Sequence, residues 1–226
     1  MTDWRAGVLA AFAHSTEFRT PRPVATTDGG WRSGPWEAWE YVAGSADESR
    51  VDDVIRAGRA FHLAIADLER PAFLSAGTND DPWSRADRMA WGEEPLPAEP
   101  TLDRLAAVSR PVRAPSQLVH GDLLGNVLFA DGHPPTVIDW PPYWRPAGFG
   151  TAVAVVDAAC WHGLPLDRVQ SLGSAEAEWT QLLVRAVAFR IATSVLLGGR
   201  DGAEAARYRP VVDTIVSAAS CGTVHP

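Results

Sequence analysis

Three oxygen-bearing side chains stand in two short runs of this chain. The first run is Val119-His120-Gly121-Asp122-Leu123-Leu124-Gly125-Asn126-Val127-Leu128, and the second is Val137-Ile138-Asp139-Trp140. Asp122 falls in a glycine-bearing loop just after a strand-like stretch. Asn126 opens the next strand, and Asp139 closes that strand's partner. A hairpin turned at Asp131-Gly132 returns its second strand to where the first began. Asn126 and Asp139 are thereby brought together, and Asp122 converges on the same point. Two carboxylates and an amide oxygen are hard donors that suit Mg²⁺ rather than zinc. A carboxylate not spent on the metal can accept a proton from a hydroxyl.

The elements that must position these residues are legible as changes of pattern. Before Ser49 the chain is broken at Pro21, Pro23, Asp28-Gly29-Gly30 and Gly34-Pro35. Short strands are expected at Val24–Thr27 and Trp36–Val42, with a turn at Asp28-Gly29 and a helix over Trp4–Ala13 before them. Ser49 with Asp52 three residues on resembles a capping box. Val51, Val54, Ile55, Phe61, Ile65 and Leu68 then recur at helical spacing until Pro71. A loop-rich stretch over 71–100 holds a short helix near Trp83–Trp91, and Thr101 is expected to cap a further helix to Arg110. Strands follow at Gln117–Val119, Val127–Phe129 and Thr136–Ile138. Helices over Phe149–Trp161, Glu176–Leu197 and Ala203–Ala219 complete the chain. The division expected is a β-rich piece over residues 1–48 and a mainly helical piece over 49–226 that carries one hairpin.

Composition narrows the chemistry. The 226 residues carry a net charge of −8, which argues against a nucleic-acid groove or an anionic membrane surface as partner. All 20 basic residues are Arg, since Lys does not occur. Schiff-base, pyridoxal and Walker-A chemistry all need a side-chain amine and are excluded. Cys160 and Cys221 form no CxxC pattern, no long apolar segment is present, and a cytoplasmic location is expected. Asp80, Asp81, Glu93, Glu94 and Glu99 make the 79–99 stretch acidic, which would suit a cationic ligand.

His120-Gly121-Asp122 through Asn126, with Ile138-Asp139-Trp140 downstream, resembles the signature of the aminoglycoside phosphotransferase and choline kinase family. The resemblance implies an α+β, protein-kinase-like fold, with a small incomplete β-rich N-lobe and a mainly helical C-lobe. It implies Asp122 as the base that deprotonates an acceptor hydroxyl, and Asn126 and Asp139 as holders of Mg²⁺ bridging the phosphates of ATP. His120 and Asp157 would support the catalytic loop. Glu40, Tyr41 and Val42 would be the hinge that holds adenine through backbone groups. The acceptor implied is a small hydroxylated molecule. Trp140-Pro141-Pro142-Tyr143-Trp144-Arg145-Pro146 is similar to the same segment in a subgroup of actinobacterial members.

The sequence departs from the family pattern in two places. The catalytic Asp and the Asn are usually five residues apart, and here Asn126 follows Asp122 by four. The N-lobe also lacks both the phosphate-covering glycine loop and the strand Lys that pairs the phosphates. Arg19, Arg22 and Arg32, besides Arg5, are the basic residues available there to replace that charge, although Arg is planar and always ionised. Two functions from different classes follow. One is an ATP- and Mg²⁺-dependent phosphotransferase; the other is a catalytically degenerate, pseudokinase-like binding or scaffold protein. A metal-dependent hydrolase built on His120, His133, Asp122 and Asp139 is weaker, because the histidines lack metal-pair spacing.

Overall fold

Val51, Val54, Ile55, Phe61 and Ile65 occupy one face of a helix and are all buried, so the 3.6-residue periodicity is realised in three dimensions. The computed structural model describes residues 1–75, 79–199 and 201–221. In chain order the elements are α1 (Thr2–Ala11), β1 (Pro23–Val24), β2 (Ala38–Trp39), β3 (Ser45–Ala46), α2 (Val51–Ala64), α3 (Ala72–Ser75), α4 (Pro82–Ala90) and α5 (Pro100–Val108). They continue with β4 (Ser116–His120), β5 (Val127–Phe129), β6 (Thr136–Val137), β7 (Pro142–Pro146), α6 (Gly148–Trp161), α7 (Arg168–Ser171), α8 (Trp179–Leu196) and α9 (Gly202–Cys221). The architecture is α+β, as the residue pattern implies.

The strands are short and dispersed among three small antiparallel sheets. β1 pairs with β2; β3, β5 and β6 form a three-stranded sheet with β5 in the middle; β4 pairs with β7. The expected hairpin is the β5–β6 pair, with Val127 opposite Val137. The N-terminal stretch is joined to this hairpin rather than standing apart from it. The Arg19 N–H donates to Pro135 O at 2.8 Å, and the Val137 N–H donates back to Arg19 O at 2.8 Å. β3 adds to the far side, with Ser45 opposite Phe129.

Helices α6 and α8 are apolar nearly all round, and such helices belong in the middle of a core. Phe61 joins the two ends of that core. Its ring is fully buried and meets Phe12, Phe18, His120 and Trp140. Truncating such a ring to Ala typically costs about 3–5 kcal/mol.

Local expectations fail where a neighbour changes the geometry. Ser49 makes no capping box: Arg50 flanks α2, and the Ser49 hydroxyl donates to Asp47 Oδ1 at 2.5 Å. Asp52 pairs instead with Arg168 at 2.8 Å. Thr101 is not the cap of α5. Pro100 takes the first helical position, where its missing N–H costs nothing, so the cap falls to Glu99, whose carboxylate accepts from Leu102 N at 2.8 Å. Asp28-Gly29 turns within the long β1–β2 connection, closed by Thr26 N donating to Gly30 O at 2.8 Å. Strand β7 is unexpected because its segment contains prolines. Pro142 and Pro146 lie at its two ends, opposite His120 and Ser116, and among the described residues its one strand partner is β4. Proline is tolerated at a strand end facing away from the ladder.

Candidate active site

Strand β4 delivers the chain to His120, and the loop that follows is closed tightly. The Asn126 N–H donates to Leu123 O at 2.9 Å, and Gly125 takes φ +85°, the left-handed residue that a turn of this kind needs. The tight turn accommodates the four-residue spacing. Asn126 Nδ2 donates to Asp122 O at 2.7 Å and to Asp122 Oδ2 at 3.2 Å. The Asn126 amide oxygen is left without a donor among the described residues. On the hairpin, Ile138 N donates to Asn126 O at 3.0 Å, so Asp139 lies one residue beyond the pairing. Asp139 has φ +45°, uncommon outside glycine, and its side chain is 76% exposed. Non-glycine residues held in such a conformation cluster at functional sites. The structure thus brings Asp122 and Asn126 into contact and sets Asp139 beside them.

One residue that sequence reasoning missed sits at the centre of this arrangement. Arg190, on α8, donates from Nη2 to Asp122 Oδ1 at 2.5 Å and from Nε to Asp157 Oδ1 at 2.9 Å, and its Nη2 also binds Asp157 Oδ2. Asp157 comes from α6, so two helices and the loop after β4 meet at one guanidinium. Burial alone would push Arg190 down, but Asp157 and Asp122 outweigh it and hold the guanidinium above its ordinary range. The available signal was a charge set between Phe189 and Ile191, both buried, on a mainly apolar helix whose other charge is Arg185. A charge placed so must be paired.

Two histidines tie the loop to α2. His120 is fully buried; its Nδ1 accepts from Asp122 N at 3.1 Å, so Nε2 carries the proton and donates to Ile138 O at 2.9 Å. Both ring nitrogens are therefore committed within the protein, and neither is free to ligate a metal. His62, also missed, accepts from His120 N at 2.9 Å through Nε2. Burial pushes the His62 imidazole down to about 3, with His120 adding to it, and pushes His120 down to about 4. His133 is exposed at the hairpin turn beside Arg19, which removes the hydrolase arrangement.

Asp139 forms part of two cavities. The larger, of about 510 Å³, also touches Asp122, Trp83, Tyr143, Trp144, Arg145 and Arg190. The smaller, of about 270 Å³, includes Arg5, Glu37, Trp39, Ile138 and Trp140. Glu40, Tyr41 and Val42, expected as the hinge, line neither, and Tyr41 is 92% exposed. The acidic 79–99 stretch is largely countered by arginines. Glu93 pairs with Arg145 and Glu94 with Arg88, both at about 2.5–2.6 Å, while Asp80 lies 3.7 Å from Arg88. Asp81 and Glu99 cap α4 and α5. Most of these acids are therefore engaged by the fold, while Asp81 and Glu93 also line the larger cavity.

A strand-loop-hairpin that converges an Asp, an Asn and a second Asp against a helical lobe defines the kinase-like class of phosphoryl-transfer proteins. The sequence model of the phosphotransferase enzyme family matches residues 6–151, well over half the chain, and the protein belongs to that family. Among solved structures it is similar to a microcompartment-associated aminopropanol kinase, with a TM-score of 0.55 at 16% identity over 96% of this chain and 78% of that one. It is also similar to a thermostable mutant of an aminoglycoside phosphotransferase in its apo form, with a TM-score of 0.55 at 16% identity over 97% of this chain and 83% of that one. At such identities the likeness establishes the fold. Comparison with curated protein sequences finds no match.

Proposed function

We propose that this protein transfers the γ-phosphoryl group of ATP, with Mg²⁺, to a hydroxyl of a small molecule held in the larger cavity. The observation that carries the reading is the contact of Asn126 with Asp122, which lines that cavity together with Asp139. Among the described residues no cluster of three or more His, Cys, Asp or Glu side chains is built to hold a metal alone. That fits Mg²⁺, which keeps several waters and is typically bound through one or two carboxylates plus substrate phosphates. Asn126 Oδ1 and the exposed Asp139 carboxylate are the groups that would hold it. Mg²⁺ bound there supplies neutralisation of charge on the phosphoryl group in transit. Asp122 orients the acceptor hydroxyl and takes its proton; Arg190 fixes one carboxylate oxygen, and Asn126 touches the other. His120 and Asp157 support the loop, the first from the strand side and the second through Arg190. A hinge at Glu40 to Val42 would serve adenine only if nucleotide binding draws it inward.

The test is Mg²⁺-dependent ATP turnover, measured as hydrolysis while the acceptor is unidentified. Asp122→Asn should lower kcat by ~10²–10⁴, the usual contribution of a positioned base. Asp139→Ala should abolish Mg²⁺-dependent turnover while leaving the fold intact, because its side chain is exposed. Full turnover by Asp122→Asn would remove the base assignment. The second reading, a degenerate binding or scaffold protein, is favoured by the absence of any Lys and of a glycine-rich phosphate loop. It gains if no nucleotide binds at millimolar concentration.

A further inference from the structure

Four arginines precede residue 49, and the fold uses them differently. Arg19 donates to Thr136 Oγ1 at 2.8 Å and lies against the His133 ring. Arg22 donates from Nη1 to Leu9 O and Ala10 O at 2.7 and 3.0 Å, closing the C-terminal end of α1. Arg32 pairs with Asp3 on the first turn of α1 at 3.0 Å. Arg5, on α1 itself, is the one of the four that reaches the candidate metal carboxylate. Its Nη1 lies 4.0 Å from Asp139 Oδ1 and donates to Trp140 O at 3.2 Å, while Nη2 meets Glu37 Oε1 at 3.3 Å. Its side chain is only 15% exposed.

We propose that Arg5 is the phosphate-binding cation of this protein, oriented by Glu37, and that the nucleotide enters the cavity bounded by Arg5, Trp39 and Ile138. The inference rests on the phosphotransferase reading above. A kinase needs a cation on its phosphates that a carboxylate holds in place, as the paired Lys and Glu of protein kinases do. Arg5 and Glu37 reproduce that pair with a guanidinium, whose planar fork suits phosphate oxygens. The helix that carries Arg5 is fixed at several points. Arg22 and Arg32 hold its two ends, and Trp4 packs on Trp140 and Phe73 with ring centroids 5.5 and 5.4 Å apart. The cation is therefore preorganised, which lowers the ordering cost of binding. The smaller cavity, about 270 Å³, lies just under the usual 300–1,000 Å³ range for ligand sites. Asp139 also borders the larger cavity, so a triphosphate extended past Asp139 points its terminal phosphorus toward Asp122.

The experiment is calorimetric titration of the full chain with ATP, ADP and adenosine in Mg²⁺, with tryptophan fluorescence as a second readout because Trp39 and Trp140 border the cavity. Arg5→Met keeps most of the apolar stem and should weaken ATP binding by about 10- to 100-fold, the loss of one charge-assisted contact, while leaving adenosine binding unchanged. Arg5→Lys should retain most ATP affinity, which guards against a variant that merely unfolds. Glu37→Gln should weaken ATP binding less than Arg5→Met does. Arg104→Met, which removes an exposed ion pair with Asp213 remote from both cavities, should bind ATP as the wild type does. Wild-type binding of ATP that survives Arg5→Met unchanged, or tightens, would overturn the Arg5 assignment alone. Adenosine and ATP losing affinity equally in Arg5→Met and Arg5→Lys would also overturn it, as a purely structural effect. Absence of all nucleotide binding by the wild type would overturn the phosphotransferase reading and this assignment with it.

Discussion

Arg190 holds two carboxylates of unequal exposure, and the difference separates its two roles. Asp157 is 13% exposed and, among the described residues, is ion-paired with Arg190, whereas Asp122 is 44% exposed and faces the larger cavity. Removing the guanidinium leaves the Asp157 charge buried and uncompensated, which typically costs about 3–5 kcal/mol. Arg190→Met should therefore lower the midpoint of urea unfolding, and Asp157→Asn combined with it should recover much of the loss by removing the stranded charge. An Arg190→Met protein as stable as the wild type would show that the pair is solvated rather than buried. Arg190→Lys should keep the charge but not the fork that reaches both helices and the loop. It should retain more stability than Arg190→Met and lose turnover relative to the wild type. Asp122, Asn126 and Asp139 were legible in the sequence because a loop and hairpin place them by local geometry. Arg190 was not, because its partners lie 33 and 68 residues away and no local spacing encodes that meeting.

The loop and helices around Asp122 are pressed close by glycines. Gly150, in the first turn of α6, approaches the Asp122 loop so closely that an added Cβ would lie 2.4 Å from His120 O and 2.7 Å from His62 Cε1. One of those neighbours is backbone and the other is a buried ring, so neither can yield without moving β4 or α2. Gly150→Ala should destabilise by about 1–3 kcal/mol, as overpacking usually does, and should reduce turnover by displacing His120 and with it the Asp122 N–H. Gly125→Ala, at φ +85°, isolates backbone strain, because its nearest atom is Glu48 Oε1 at 3.7 Å. Its cost should be about 1 kcal/mol, close to the usual penalty for a side chain in the left-handed region. Equal stability of Gly150→Ala and wild type in chemical denaturation would show that α6 can shift away from the loop. At this scale the β5–β6 hairpin and α2, α6, α8 and α9 could be read from periodicity, with ends shifted by a few residues. Strand β7 could not, because prolines mask a strand whose few ladder bonds avoid them. The cap of α5 moved to Glu99 because Pro100 fixed where the helix starts.

Across the whole molecule, the buried His62 and His120 link the stability of the fold to pH. Both are neutral in the native protein, since burial pushes them down to about 3 and about 4, whereas an exposed histidine in the unfolded chain titrates near 6.5. Between about pH 4 and pH 6.5 the unfolded chain therefore binds protons that the native chain does not. Unfolding free energy then rises with pH in this window, and the stability present above pH 6.5 is lost as pH falls toward 4. Each such histidine contributes a slope of up to about 1.4 kcal/mol per pH unit. Two of them remove several kcal/mol, a large share of the 5–15 kcal/mol typical of a domain. Protonation is also disruptive in a specific way. His120 Nδ1 accepts the Asp122 N–H, so a proton placed there opposes a donor with a donor and releases the loop that carries Asp122. Activity should therefore fall together with stability on acidification. Native carboxylates add to the same slope, so the assignment needs a variant comparison. His62→Gln retains a side-chain acceptor for the His120 N–H and removes one titrating group. Its unfolding free energy, measured by urea denaturation at pH 7, 6 and 5, should fall less steeply than that of the wild type, by roughly 1 kcal/mol per pH unit near pH 5. Parallel slopes for the two proteins would show that His62 gains no protection from protonation by being buried.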